Sequence, residues 1–295
     1  MNLQKRTALI AVSAACSALL LLAGCSSTPP GAEPSSGGSS APSEDCSPRD
    51  ADLKTLTDGT LTVAQYEYPP FSMSDGPANL TGLEGDVLTR FAEAECLTLQ
   101  VNKGDAAAMI TAVATGRADT TLGSWYRTKE RAEKVRLSAP IIISPFSSVT
   151  QGEVSTVDEL KDLKIGVGQG LIGVDKLKEV LGGNLSTYQN DDAVYDDIKA
   201  GRIDGTVQGF IAAHTYLSKH GITGFDVTVL EADDRLPATL DPGQTNFPVN
   251  QENEALGAAI DSFISELRDS GELDKIAEQY DLDPSVMHPG EPNLL

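Results

Sequence analysis

Gly116-Arg117-Ala118-Asp119-Thr120-Thr121-Leu122 and Gly201-Arg202-Ile203-Asp204-Gly205-Thr206-Val207 are the stretches whose comparison decides the fold. Each is a G-R-x-D corner followed by a short uncharged run. The glycine suits the left-handed position that ends a helix, the polar residues fit a turn, and the run beyond reads as a buried strand. Working outward, Gly59-Thr-Leu-Thr-Val-Ala64 and Leu163-Lys-Ile-Gly-Val167 open the two halves as short apolar runs of strand character. Helical patterns lie between opening strand and corner, with Val87, Leu88 and Phe91 on one face of the first and small residues from Ala106 to Thr115 in the second. The corner reads as a structural device used twice, not as a site. Strand, helix, corner and strand, repeated with short connections, predict an α/β fold with mainly parallel sheets and two lobes that leave a cleft. Near the end, Leu256, Ile260, Phe263, Ile264 and Leu267 repeat at helical spacing, and a second helix follows Gly271 through Leu273, Ile276 and Tyr280.

The 295 residues carry 43 Asp and Glu against 22 Lys and Arg, a formal net charge of −21. Such acidity argues against nucleic acid as a partner, because affinity for phosphate backbones comes mainly from clustered Lys and Arg. The 40% apolar fraction is enough for real cores. His214, His220 and His288 are the only histidines, and H-E-x-x-H, zinc-finger and G-x-S-x-G spacings are all missing. Zinc hydrolases and Ser-His-Asp enzymes therefore start low, and no cofactor or metal is expected.

Lys5 and Arg6 precede an uncharged stretch, Thr7 to Cys25, of secretory character, ending Leu22-Ala23-Gly24-Cys25. That ending looks like a bacterial lipobox. It predicts a signal peptide at residues 1–24, a lipid on the Cys25 thiol, and a protein held at the outer face of the bacterial cell membrane. Losing the leader removes Lys5 and Arg6 and takes the net charge from −21 to −23. Residues 25–46, rich in Ser, Pro and Gly, read as a disordered tether with a reach of about 25 Å. Cys16 lies in the leader, so Cys46 and Cys96 remain, either as a disulfide or as two free thiols.

From Gly59 onward the chain carries Tyr68-Pro69-Pro70-Phe71-Ser72, Gly82-Leu-Glu-Gly-Asp86, Thr128-Lys-Glu-Arg131, Leu137-Ser-Ala-Pro140, Asp158-Glu-Leu-Lys-Asp-Leu-Lys164 and Ser270-Gly-Glu-Leu-Asp-Lys-Ile276, together with the two corners. In this order the set resembles the family 3 extracellular solute-binding proteins of polar amino acid ABC importers. The resemblance implies the type II periplasmic-binding-protein fold, with lobe 1 at 47–146 plus 243–295, lobe 2 at 147–242, and a hinge that closes on a ligand. It also implies a monomer that hands a small, carboxylate-bearing zwitterion to an ABC permease.

Residue by residue, the resemblance makes Arg131 the grip on a ligand carboxylate, a task suited to the two parallel donors of a guanidinium. Thr128 fits either a helix N-cap or a ligand contact. Tyr68 stands where the family places an aromatic platform, with packing on Pro69 and Pro70 as the alternative. Ser124 and Tyr126 fall where a carbonyl and a hydroxyl are usual. Gly170 and Leu171, in the loop Gly168-Gln-Gly-Leu-Ile-Gly173, fall where backbone N–H groups meet the carboxylate. That loop, with Asp191 about 20 residues on, also satisfies a dinucleotide fingerprint, a reading that export opposes.

The departures concern the ligand's cation. After Asp204 the chain reads Gly-Thr-Val-Gln208-Gly209, with Gly209 at the position of the family's acid, and Gln65 replaces another acid, although Glu67 lies two residues on. A buried ammonium without a carboxylate is costly. Tyr66, Tyr68, Phe71, Trp125, Tyr126 and Phe210 gather near these loops in a chain with few aromatics, which predicts an aromatic cage for an alkylated or delocalised cation. The alternative function is a cyclohexadienyl dehydratase-like enzyme on the same fold, with Glu67 nominated as its acid.

Overall fold

A computed structural model describes residues 46–295; the leader, Cys25 and the tether up to residue 45 lie outside the described residues. Two five-stranded sheets organise the body. In the first, parallel strands Thr98–Lys103, Thr60–Gln65 and Thr120–Leu122 lie side by side, followed by antiparallel Pro248–Val249 and then Arg136–Leu137. In the second the order is Leu185–Tyr188, Ile165–Gly168, Gly205–Gly209, then antiparallel Phe146–Thr150 and Asp226–Val229. Both sheets place the second strand, first strand and third strand in the same order, and in both the next strand arrives from the other sheet. The chain therefore passes between the sheets twice. The two passages pair with each other, Gly243 opposite Ser144 and Gln244 opposite Ile143, as a two-strand hinge.

The repeated corner does the same mechanical job in each half. Gly116 and Gly201 adopt φ of 64° and 66° just past the helices Ala106–Ala114 and Asp191–Lys199. The Asp119 carboxylate then accepts the N–H of Thr62 at 2.8 Å and of Leu56 at 2.8 Å, and Asp204 accepts the N–H of Lys164 at 2.8 Å. Each aspartate thus pins the start of the opening strand of its own sheet, which satisfies backbone donors that no neighbouring strand reaches.

Helices cover both sheets because their apolar residues recur at helical spacing. Leu83–Ala94 buries Leu83, Val87, Leu88 and Phe91, while Glu254–Asp269 buries Leu256, Ile260, Phe263 and Ile264 and is capped by the Asn253 side chain accepting from Leu256 N–H. One apolar cluster fills the first sheet's surroundings and continues through Tyr66 and Tyr68 into Tyr195 and Tyr216 beneath the second sheet. The other face of the second sheet has a smaller cluster around Leu160, Ile165, Leu177 and Leu236. The sheets are therefore in apposition, with the cleft shut. Cys46 and Cys96 are joined by a disulfide, their Cα atoms 5.9 Å apart.

Candidate ligand-binding site

The loops beyond the carboxyl ends of strands from both sheets meet in the cleft. This is where open α/β sheets leave a crevice. Gly123, Ser124, Trp125 and Tyr126 follow Thr120–Leu122, and Gln208 and Gly209 end Gly205–Gly209. With Tyr68, Arg131 and apolar residues of the second sheet they enclose a small cavity of about 30 Å³. A wider groove of about 620 Å³ lies outside it, lined by Thr128, Gly170 and Ile110 among others. Arg131 and Leu171 border both spaces.

Arg131 is held from its own helix start. Thr128 caps Lys129–Ala132, its Oγ1 accepting the Arg131 N–H at 3.1 Å, so the capping role is filled while the residue still borders the groove. The guanidinium donates through Nη1 to the Tyr126 carbonyl at 2.8 Å and stacks over the Trp125 ring at 5.1 Å. Glu130, next in sequence, turns outward to Lys134 at 2.7 Å. Among the described residues no carboxylate forms an ion pair with Arg131. Desolvation pulls its pKa down to about 10, partly offset by Glu130, so it is still a cation at neutral pH. A guanidinium without an ion-pair partner keeps planar N–H donors suited to an anion.

Tyr126 explains the missing acid. Its ring lies between Gly209 and Gly243: a Cβ built on Gly209 would fall 2.6 Å from the Tyr126 hydroxyl oxygen, and one on Gly243 would fall 2.3 Å from the ring. The hydroxyl donates to the Ser144 carbonyl at 2.9 Å, and burial pushes its pKa up to about 12. The two glycines thus make room for the tyrosine.

The remaining expected residues divide. Tyr68, Ser124, Trp125, Tyr126, Gln208 and Gly209 line the inner cavity. Gly170 lies outside it, in the groove, where its φ is +80° and a Cβ built on it would fall 2.7 Å from the Ala107 backbone, which leaves no room for a side chain. Of the six aromatics expected around a cation, Tyr66 and Phe71 are buried against Tyr68, and Phe210 turns to His214. Trp125 has one face under Arg131 and its indole N–H on Thr121 Oγ1 at 3.0 Å. Glu67 borders neither space: it is a half-exposed surface residue paired with Lys103 at 3.0 Å, because the residues on either side of it, Tyr66 and Tyr68, take the inward places.

Three further residues shape the site. Phe146 lines the cavity from the second sheet. Glu84, inside the Gly82-Leu-Glu-Gly-Asp86 stretch, accepts the N–H of Ser124 at 2.9 Å and of Gly123 at 3.4 Å. It fixes a turn in which Ser124 has a φ of 56°, and burial pushes its carboxyl up to about 7. The third is Asp191, placed about 20 residues beyond the glycine loop.

Asp191, the first residue of the helix Asp191–Lys199, reaches across the cleft to Tyr66. Its carboxylate accepts the Tyr66 hydroxyl at 2.6 Å, and the Asp105 carboxylate nearby receives Gln189 Nε2 at 3.0 Å. Asp191 is buried among tyrosines with Asp192 and Lys219 close by, and burial raises its pKa to about 6 despite the Tyr66 bond. A raised carboxyl means that the folded state holds the proton more tightly than the unfolded chain, whose value is about 3.9. The stabilisation is fully present below that value and is lost as pH rises through about 6. Wild-type protein is expected to gain stability between pH 7.5 and 5, and about 1 kcal/mol of that gain disappears in Asp191→Asn. Urea unfolding at both pH values checks it; equal pH dependence in the two proteins would remove the role assigned to this buried carboxyl.

Two lobes of this topology, joined by two strands around a cleft that holds an arginine without an ion-pair partner, define a hinged two-lobed α/β fold. A family model described as bacterial extracellular solute-binding proteins, family 3, matches residues 61–283, and the chain belongs to that family. It is 26% identical over 231 residues to the L-cystine-binding protein TcyJ of Escherichia coli strain K12, covering 75% of this chain and 82% of that one. It is 27% identical over 240 residues to the lysine/arginine/ornithine-binding periplasmic protein of the same strain, covering 77% and 87%. Among solved structures, an ancestral arginine-binding protein bound to arginine matches with a TM-score of 0.65 at 24% identity, over 75% of this chain and 98% of that one. The substrate binding protein of an amino acid ABC transporter matches with a TM-score of 0.67 at 21% identity, over 75% and 99%.

Proposed function

We propose that this protein is the lipid-anchored solute-binding component of an ABC importer. It is held through Cys25 at the outer face of the bacterial cell membrane and captures a small amino acid or amino-acid-like solute between its lobes as a monomer. The lobes divide near 47–146 plus 243–295 and 147–242, and the closed form is the one a permease receives. The observation that carries the reading is Arg131: a cation in a shut cleft with no partner among the described carboxylates, held in place by Tyr126 and Trp125. Relatives named as binding proteins for cystine and for lysine, arginine and ornithine support a solute carrying a carboxylate. The surface position of Glu67, beside Lys103, favours binding over dehydratase chemistry.

A thermal-shift screen of small carboxylates tests it. At a solute concentration 100 times Kd, closure stabilises the protein by about 2.7 kcal/mol, a rise of roughly 5–10 °C for a body of this size. A melting point unmoved by every amino acid and amino-acid-like carboxylate would reject the proposal.

A further inference from the structure

The inner cavity holds one positive charge and no negative one. Besides Arg131, it is lined by Gln208, which is 3% exposed. The Gln208 Oε1 accepts the Tyr195 hydroxyl at 2.7 Å, leaving its Nε2, a donor, buried without a partner. Among the described lining residues there is no Asp or Glu. The buried acids nearby stand outside the lining: Glu84 receives the N–H groups of Gly123 and Ser124 on Oε2 and keeps a buried, unpartnered Oε1, and Asp191 receives the Tyr66 hydroxyl. In the outer groove Glu130 and Asp175 are exposed, and Glu130 is taken by Lys134. Gly209 has no room for an acidic side chain while the Tyr126 ring is in place.

Charge balance then decides the ligand class. A zwitterion would pair its carboxylate with the half-buried Arg131 and leave its ammonium uncompensated, facing hydroxyl and carbonyl oxygens and apolar side chains but no carboxylate. A lone carboxylate neutralises the arginine and also gives Gln208 an acceptor. From this we infer that the solute is a monocarboxylate lacking a primary ammonium. Its carboxylate lies between Arg131 and Gln208, and its uncharged body lies among Phe146, Val167, Leu171 and Val207. The inference rests on the solute-binding reading above and narrows it.

The experiment is calorimetric titration of the full-length protein in detergent with probes matched in carbon skeleton. L-alanine is compared with pyruvate and propionate, L-valine with α-ketoisovalerate and isovalerate, and L-phenylalanine with phenylpyruvate and hydrocinnamate. The N-trimethyl form of each amino acid is a further probe. In the skeleton that binds best, an ammonium-free acid is expected to bind at least tenfold more tightly than the amino acid. In the double variant Gly209→Asp with Tyr126→Thr, which opens room for a carboxylate, the order is expected to reverse. An amino acid or N-trimethyl probe binding the wild type more tightly than its ammonium-free partner overturns the inference while leaving the solute-binding reading standing. Failure of every carboxylate, matched and unmatched, overturns both. Because the wild-type comparison is decisive by itself, a double variant that does not fold leaves the test intact.

Discussion

Arg131→Gln is expected to remove measurable solute binding while leaving the empty protein as stable as the parent or slightly more so. The two effects separate because the arginine does little for the closed, ligand-free fold. It contributes one hydrogen bond to the Tyr126 carbonyl and a stacking contact with Trp125, and against these stands the cost of an unpaired, desolvated cation. With a carboxylate bound the account changes: losing one partner of a buried charge pair costs about 3–5 kcal/mol, roughly two to three and a half orders of magnitude in Kd. Arg131→Lys keeps the charge but not the planar fork, so its affinity should fall between the two. Calorimetry on wild type and both variants, with melting points of the unliganded proteins, reads both halves. Binding by Arg131→Gln within threefold of wild type would dismiss Arg131 as the carboxylate grip.

The second large effect is expected from the disulfide. Cys46 and Cys96 are 50 residues apart in sequence, and opening the bridge restores that loop's freedom to the unfolded chain. In the chain-entropy model this is worth about 4 kcal/mol, or roughly 8–16 °C of melting temperature for a body of this size. The bridge joins the start of the described body to the corner after Leu83–Ala94, where Cys96 has a φ of 56° and Glu95 Oε2 receives the Asp50 N–H at 2.9 Å. Since that hydrogen bond and the corner survive in the Cys46→Ser, Cys96→Ser protein, the loss should appear in denaturant midpoint with the solute affinity unchanged. A midpoint shift worth under 1 kcal/mol would show that the bridge adds little to stability.

Much of the fold was legible because it rests on local rules. The helix limits at Gly116 and Gly201, the cap at Asn253 and the apolar spacing from Leu256 to Leu267 are determined by backbone conformation and periodicity within a few residues. Even the corner aspartates were readable as structural, although their partners Thr62 and Lys164 are distant in sequence. The site was legible only in part. Arg131, Tyr68 and Gln208 reach the cavity, whereas Glu67 points away and half of the expected aromatic cage is core. Glu84 and Asp191 were invisible as site residues, since a buried acid and a surface acid look alike in sequence and only their partners tell them apart.

The sequence by itself determined the repeated α/β halves, the pair of available cysteines and the arginine suited to a carboxylate, because each depends on short-range pattern or residue chemistry. Only the tertiary structure decided what surrounds that arginine. The Tyr126 ring fills the space between Gly209 and Gly243, residues 83 and 117 positions further along the chain. Glu84 and Asp191 are drawn away to backbone and phenol partners from separate elements. The charge of the cavity is a property of which distant groups are brought together, and chain order carries no record of that sum.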